Sequence, residues 1–149
     1  MNKFKKGDML VITTATEKEN IGKVGIVIEV TDGDYYTLDC LPNYAYKENC
    51  VDYARGADLI REERRRQIEQ EGYDDMHDRH HTPEVLAEAA TAYALHGDPR
   101  LRIDAHMFWP WSDEFWKPKD QLRNLVRAGA LIAAAIDRLQ YEQKQETML

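Results

Sequence analysis

The sequence predicts an α+β chain, with a small β-rich N-terminal domain followed by a three-helix, alanine-rich domain that carries an aromatic loop. Three observations lead there. Residues 1–58 hold short β-branched runs separated by Gly, Pro and Asn, the punctuation of strands and tight turns. From residue 59 onward Ala, Leu, Glu, Arg and Gln dominate, with apolar residues at helical spacing. Before the last helical stretch, Phe108, Trp109, Trp111, Phe115 and Trp116 crowd into nine positions.

In the β-rich part, the run MLVITTAT from Met9 reads as a first strand. The segment GKVGIVIEV alternates, so Val24, Ile26, Ile28 and Val30 are expected on one face and Gly25, Val27 and Glu29 on the other. Asp32-Gly33 predicts a type I′ hairpin turn, which needs positive φ at both central residues. The returning strand is expected over 35–40, a turn at Pro42-Asn43, and a short final strand over 49–53. Short strands and tight turns in this length suggest a small, strongly bent barrel.

Three helices are predicted, at about 59–72, 83–96 and 118–141. The first ends at Gly72 and buries a narrow stripe of Leu59, Ile60 and Ile68, with Arg64, Arg65 and Arg66 on a solvated surface. Thr82 is expected to cap the second, with Pro83 at its first position and Glu84 complementing the dipole. The third presents Leu122, Leu125, Val126, Gly129, Ile132, Ala133, Ile136 and Leu139 as its apolar face. Its tail, EQKQETML, reads as frayed. The small pair Gly129 and Ala133 fits packing against the second helix or a contact with a second copy, and a homo-oligomer is the expectation.

The totals exclude several classes. A net charge of −7 argues against tight non-specific duplex binding, so nucleic acid is not an expected partner. No apolar run approaches the roughly 20 residues that cross a bilayer. MNKFKKGDML has no apolar core of a secretory signal, so a cytoplasmic protein with Cys40 and Cys50 as reduced thiols is expected.

Chemistry concentrates in EGYDDMHDRHH, residues 71–81, which holds three of the chain's five histidines. It lacks HExxH and any cysteine pair, so a zinc site is not indicated. Magnesium, which needs only one or two carboxylates beside nucleotide phosphates, is the metal reading, with Asp75, Asp78 and Glu88 as ligands. The competing reading is a polar bend whose Asp and His side chains cap helix ends. The aromatic loop could pad the helices or give a stacking wall for a planar ligand, with Lys117, Lys119 and Arg123 near its phosphates. Arg123 and Arg127 could clamp an anion or pair with Glu84 and Glu88. Together these segments suggest a ligand pocket built from Tyr73, His77, His80, His81, Trp109, Trp111, Trp116, Lys117, Arg123 and Arg127.

Two stretches carry resemblances. FKKGDMLVIT, GKVGIVIEV, DYYTLDC and ADLI are similar to SH3-like barrels of the KOW or plant-Agenet sort, over roughly the first 60 residues. That implies a barrel over 1–58 that binds peptide or nucleic acid, or braces a neighbour. RRRQIEQEGYDDMHDRH, PEVLAEAATAYAL, WPWSDEFWKP and RNLVRAGALIAAAIDRL, within about 63–139, resemble a family of small phage and prophage accessory proteins. That likeness implies a setting in an infected host cell. There, binding a nucleotide-derived ligand without turnover would sequester a host immune signal. A weaker likeness is to MazG-type all-α nucleotide pyrophosphohydrolases, which hold Mg²⁺ with ExxE and ExxD. Here Glu84 and Glu88 are four apart and Asp137 stands alone in its helix. The expectations are therefore a nucleotide-like ligand, a Mg²⁺-dependent hydrolase, or an interaction module.

Overall fold

The computed structural model describes residues 2–148, the side chain of Asp75 apart. The chain divides into two units, residues 1–62 and 63–149. The division falls inside the first helix.

The N-terminal unit is a five-stranded antiparallel sheet: β1 (Met9–Ile12), β2 (Val24–Thr31), β3 (Tyr35–Leu38), β4 (Ala45–Lys47) and β5 (Val51–Tyr53), in the order β4-β3-β2-β1-β5. Its core joins Phe4, Leu10, Ile12, Val27, Tyr36, Leu38, Tyr46 and Val51. Among the described residues no strand pairing closes the sheet between β4 and β5. β4 and β5 are three residues each, and the 3₁₀ turn Glu48–Cys50 joins them from one edge to the other without pairing. β4 itself lay in a stretch where only a turn was expected.

The face of β2 is also the reverse of the expected one. Gly25 and Val27 point into the core, whereas Ile26 and Ile28 are about 40% exposed (41% and 38%). The cause is a close approach: a Cβ on Gly25 would lie 2.7 Å from Cys40 Sγ and 2.8 Å from Asp39 Oδ1. A larger inward side chain would have to displace the Cys40 and Asp39 side chains, so glycine suits this register. A register shift between Val27 and Glu29 then returns Val30 to the core side, as a bulge does. In the hairpin, Thr31 pairs with Tyr35, so the loop has three residues. Positive φ falls on Gly33 (+90°) and Asp34 (+61°), not on Asp32, so a two-residue type I′ turn is ruled out.

The helices are α1 (Gly56–Glu71), α2 (Asp75–Asp78), α3 (Pro83–His96), α4 (Arg102–Ala105) and α5 (Gln121–Thr147). In the C-terminal unit α3 packs on α5. The seam is built from small side chains, Ala89 and Ala90 on α3 and Ala128, Ala130, Ala134 and Ala135 on α5, all buried. The Thr82 hydroxyl accepts from Val85 N–H, and Pro83 opens α3 as expected. α5 starts at Gln121 instead of near Pro118, because the Asp120 carboxylate caps it through Arg123 N–H. It continues to Thr147, so the tail is helical.

Two helix faces differ from the sequence reading. On α5 the large aliphatics Leu122, Leu125, Ile132, Ile136 and Leu139 are 42–55% exposed, and the alanine face is the buried one. α3 offers an alanine surface, and two alanine surfaces approach more closely than Leu and Ile would allow. On α1, Glu63, Arg64 and Gln67 are buried and Ile68 is exposed. Among the described residues no helix is long and apolar enough to cross a membrane.

Candidate functional site

A cavity of about 660 Å³ opens in the C-terminal unit. Five segments wall it: the last turns of α1, the bend before α3, α3 itself through Leu86 and Tyr93, the aromatic loop, and the middle of α5.

The bend is organised by local chemistry. Gly72, at φ +72°, lets Tyr73 N–H donate back to Gln67 O at 3.0 Å. The Asp74 carboxylate accepts from His77 N–H at 2.9 Å and starts the single turn of α2. That turn aims rings along one line: Tyr73 stacks on His77 at 4.6 Å, His77 meets His81 at 5.4 Å, and His81 meets Trp111 edge-on at 5.0 Å. Trp111 continues to Trp109 at 5.0 Å, and Trp109 to Trp116 at 4.9 Å. The histidine cluster and the tryptophan loop therefore form one unbroken aromatic chain. Where the alanine seam leaves room, Trp109, Trp111 and Trp116 pack against it, with Leu86, Tyr93 and Leu131.

Buried charge holds the opposite wall. Glu63, 2% exposed, takes both arms of Arg66 (2.9 Å each), Gln67 Nε2 at 3.1 Å and Arg123 Nη2 at 2.8 Å. Burial pushes the Glu63 carboxyl up, but the bonds from Arg66 and the charge of Arg123 outweigh it and hold the acid below its usual range. Arg64 donates to Asp78 Oδ2 at 2.5 Å and to Tyr73 O at 3.0 Å, while its buried Nε–H has no hydrogen-bond partner among the described residues. Asn124, 1% exposed, accepts from Lys119 N–H at 2.7 Å and donates to Lys119 O at 3.0 Å, which pins the end of the aromatic loop to α5. Arg127 donates to Lys117 O and sits over the Tyr93 ring at 5.6 Å.

The cavity thus gathers most of the expected ligand residues: Tyr73, His77 and His81 from the bend, Trp109, Trp111 and Lys117 from the loop, and Arg127 from α5. Three others lie outside its lining. His80 is exposed, Trp116 backs Trp109 and Tyr93, and Arg123 is committed to Glu63 instead of Glu84 or Glu88. Of the expected metal ligands, Asp78 lines the cavity but is bonded to Arg64, and Glu88 is exposed on α3. The side chain of Asp75 lies outside the described residues. Among the described residues no three His, Cys, Asp or Glu side chains are grouped to share a cation. Sequence reasoning missed Glu63, Arg64, Arg66 and Gln67. Their spacing places Glu63, Arg64 and Gln67 on one face of α1, which was the available signal.

Two rings carry a pH dependence. Burial pushes the His81 imidazole below the usual histidine value, and neighbouring His77 adds to the effect. Burial and then the charge of Arg102 lower His96 in the same direction. The unfolded chain, with histidine near 6.5, binds these protons first as the pH falls. Stability is therefore whole above about 6.5 and declines below it. Urea midpoints of the full chain at pH 7.5 and 5.5 should show the lower midpoint at pH 5.5, and His81→Gln should narrow that difference.

The class this defines is a two-unit α+β chain whose helical unit holds an aromatic and cationic cavity. No protein-family model matches the chain, and no curated protein or solved structure shows significant similarity to it.

Proposed function

We propose that the helical unit binds a small, flat, anionic ligand of the nucleotide class in this cavity and holds it without turnover. One observation carries the reading: the charge balance along an aromatic wall. Of the four Lys and Arg side chains lining the cavity, Arg64 and Arg66 are paired with carboxylates, whereas Lys117 and Arg127 have no carboxylate partner among the described residues. Two cations without a carboxylate partner, one of them Arg127 held by Lys117 O and the Tyr93 ring, suit a phosphate with a base stacked on Trp109 or Trp111 nearby. The volume is within the range of small-ligand sites.

The absence of turnover is supported by the state of the carboxylates. Asp78 is bonded to Arg64 and Glu63 to two arginines, so each must break a buried ion pair before it could hold Mg²⁺. The likeness to phage accessory proteins suggests the setting: sequestration of a nucleotide signal in an infected cell. The N-terminal unit is read as SH3-like on its opening motif and strand order.

The test is depletion and release. The protein is incubated with mononucleotides, cyclic nucleotides and ADP-ribose-type compounds, with and without Mg²⁺. Filtrates are compared before and after denaturation. One compound should disappear from the filtrate and return intact. A hydrolysed product would mean an enzyme, and no depletion across the panel would overturn ligand binding. Lys117→Ala, at an exposed position, should weaken binding about 10- to 100-fold, the worth of one charge-assisted hydrogen bond, with the fold intact.

A further inference from the structure

α5 leaves one face uncovered, and its pattern identifies what would cover it. Leu122, Leu125, Gly129, Ile132, Ile136 and Leu139 follow one another at steps of three and four, the seam spacing of a helix that packs along its length on another helix. The five aliphatics among them are 42–55% exposed. Arg127, Leu131 and Ala134, which line the cavity, lie on the opposite side of the same helix. Five half-exposed Leu and Ile side chains in one stripe make on the order of 400 Å² of apolar surface, the size of the largest patch on an ordinary monomer, which is often a functional one.

We infer that this stripe is the two-fold interface between two copies of the chain, with the two α5 helices antiparallel. The stripe reads the same in both directions about its midpoint between Ala130 and Leu131. An antiparallel pair therefore sets Leu122 against Leu139 of the second copy, Leu125 against Ile136, and Gly129 against Ile132. Size complementarity selects this register, because the single glycine of the stripe faces a branched side chain at the centre on both sides of the axis. A glycine inside a helix costs stability unless packing uses it. This antiparallel contact is isologous and closes at two copies. The stripe supplies about half of the roughly 800 Å² per partner of a standard interface, so the dimer should form at micromolar concentration and dissociate on dilution. Because the cavity is on the other side of α5, it stays open in the dimer.

Sedimentation of the full chain across a dilution series should show a monomer–dimer equilibrium, and Ile132→Arg should weaken association at least tenfold with an unchanged circular dichroism spectrum. Orientation is read in a Cys40→Ser/Cys50→Ser background. Mild oxidation should cross-link a mixture of Leu122→Cys and Leu139→Cys proteins, whereas Leu122→Cys alone should not cross-link to itself. Self-linking of Leu122→Cys would overturn the antiparallel register. A chain that stays monomeric at high concentration, or a dimer indifferent to Ile132→Arg, would overturn the interface and leave the stripe to some other occupant.

Discussion

Glu63→Ala is expected to lower stability by about 3–5 kcal/mol, the cost of removing one member of a buried ionic cluster. Glu63 is 2% exposed, and its two oxygens receive Arg66, Gln67 and Arg123. Removing the carboxylate takes away the charge that Arg66 and Arg123 converge on and leaves a void on the cavity side of α1. Arg66 still reaches Glu71 at 2.8 Å, which limits the loss on that side. Arg123 has no second carboxylate partner among the described residues, and one of the charge links from α1 to α5 is lost with it, leaving Arg64–Asp137 at 3.8 Å. Guanidinium chloride unfolding of wild type and variant should show the midpoint shift at an unchanged slope. A loss below about 1 kcal/mol, the level of an exposed pair, would mean that the cluster is solvated and the argument wrong.

The same residue sets an acid limb. Its folded pKa is lowered, so its contribution is present above the unfolded value of about 4.5 and is lost as the pH falls through the folded value. Wild type should therefore lose stability steeply on acidification below that point. Glu63→Gln, which keeps a similar shape but cannot ionise, should start lower at neutral pH and lose less between pH 5 and pH 3.

What could be read in advance was the chemistry that acts between near neighbours in the chain. Thr82 and Pro83 mark the start of α3 because a cap needs only the next three residues, and Gly72 ends α1 for the same reason. The density of rings and histidines likewise pointed to the bend and the aromatic loop, two of the segments that wall the cavity. Distant partners were not legible. The face of β2 is decided by Gly25 meeting Cys40, fifteen residues on. The buried face of α5 is decided by the alanines of α3, so an ordinary hydrophobicity ranking chose the wrong stripe. Glu63 and Arg64 looked like a wet surface because Arg123, which accounts for the burial of Glu63, lies sixty residues away.

Arg64 separates structure from binding most sharply. Its guanidinium and the Asp78 carboxylate are 11% and 8% exposed, 2.5 Å apart, with Asp137 at 3.8 Å. Arg64→Met should cost about 3–5 kcal/mol, because Asp78 is then buried with only the His77 ring at 3.4 Å beside it, and Asp78→Leu should cost less, because Arg64 keeps Asp137 at 3.8 Å and Tyr73 O. The double variant Arg64→Met/Asp78→Leu removes both charges and both desolvation costs, so it should recover most of the loss, and a double-mutant cycle should return a coupling of at least 2 kcal/mol. Additive losses would show that the two side chains do not stabilise each other. Binding then gives the second reading. The Arg64 Nε–H is buried without a hydrogen-bond partner among the described residues, in a residue that lines the cavity. If that donor serves the ligand found in the depletion test, the double variant regains stability while its affinity stays about tenfold down or more, the worth of one hydrogen bond. If affinity returns together with stability, Arg64 only braces the bend against α1, and the anion is held by Lys117 and Arg127 alone.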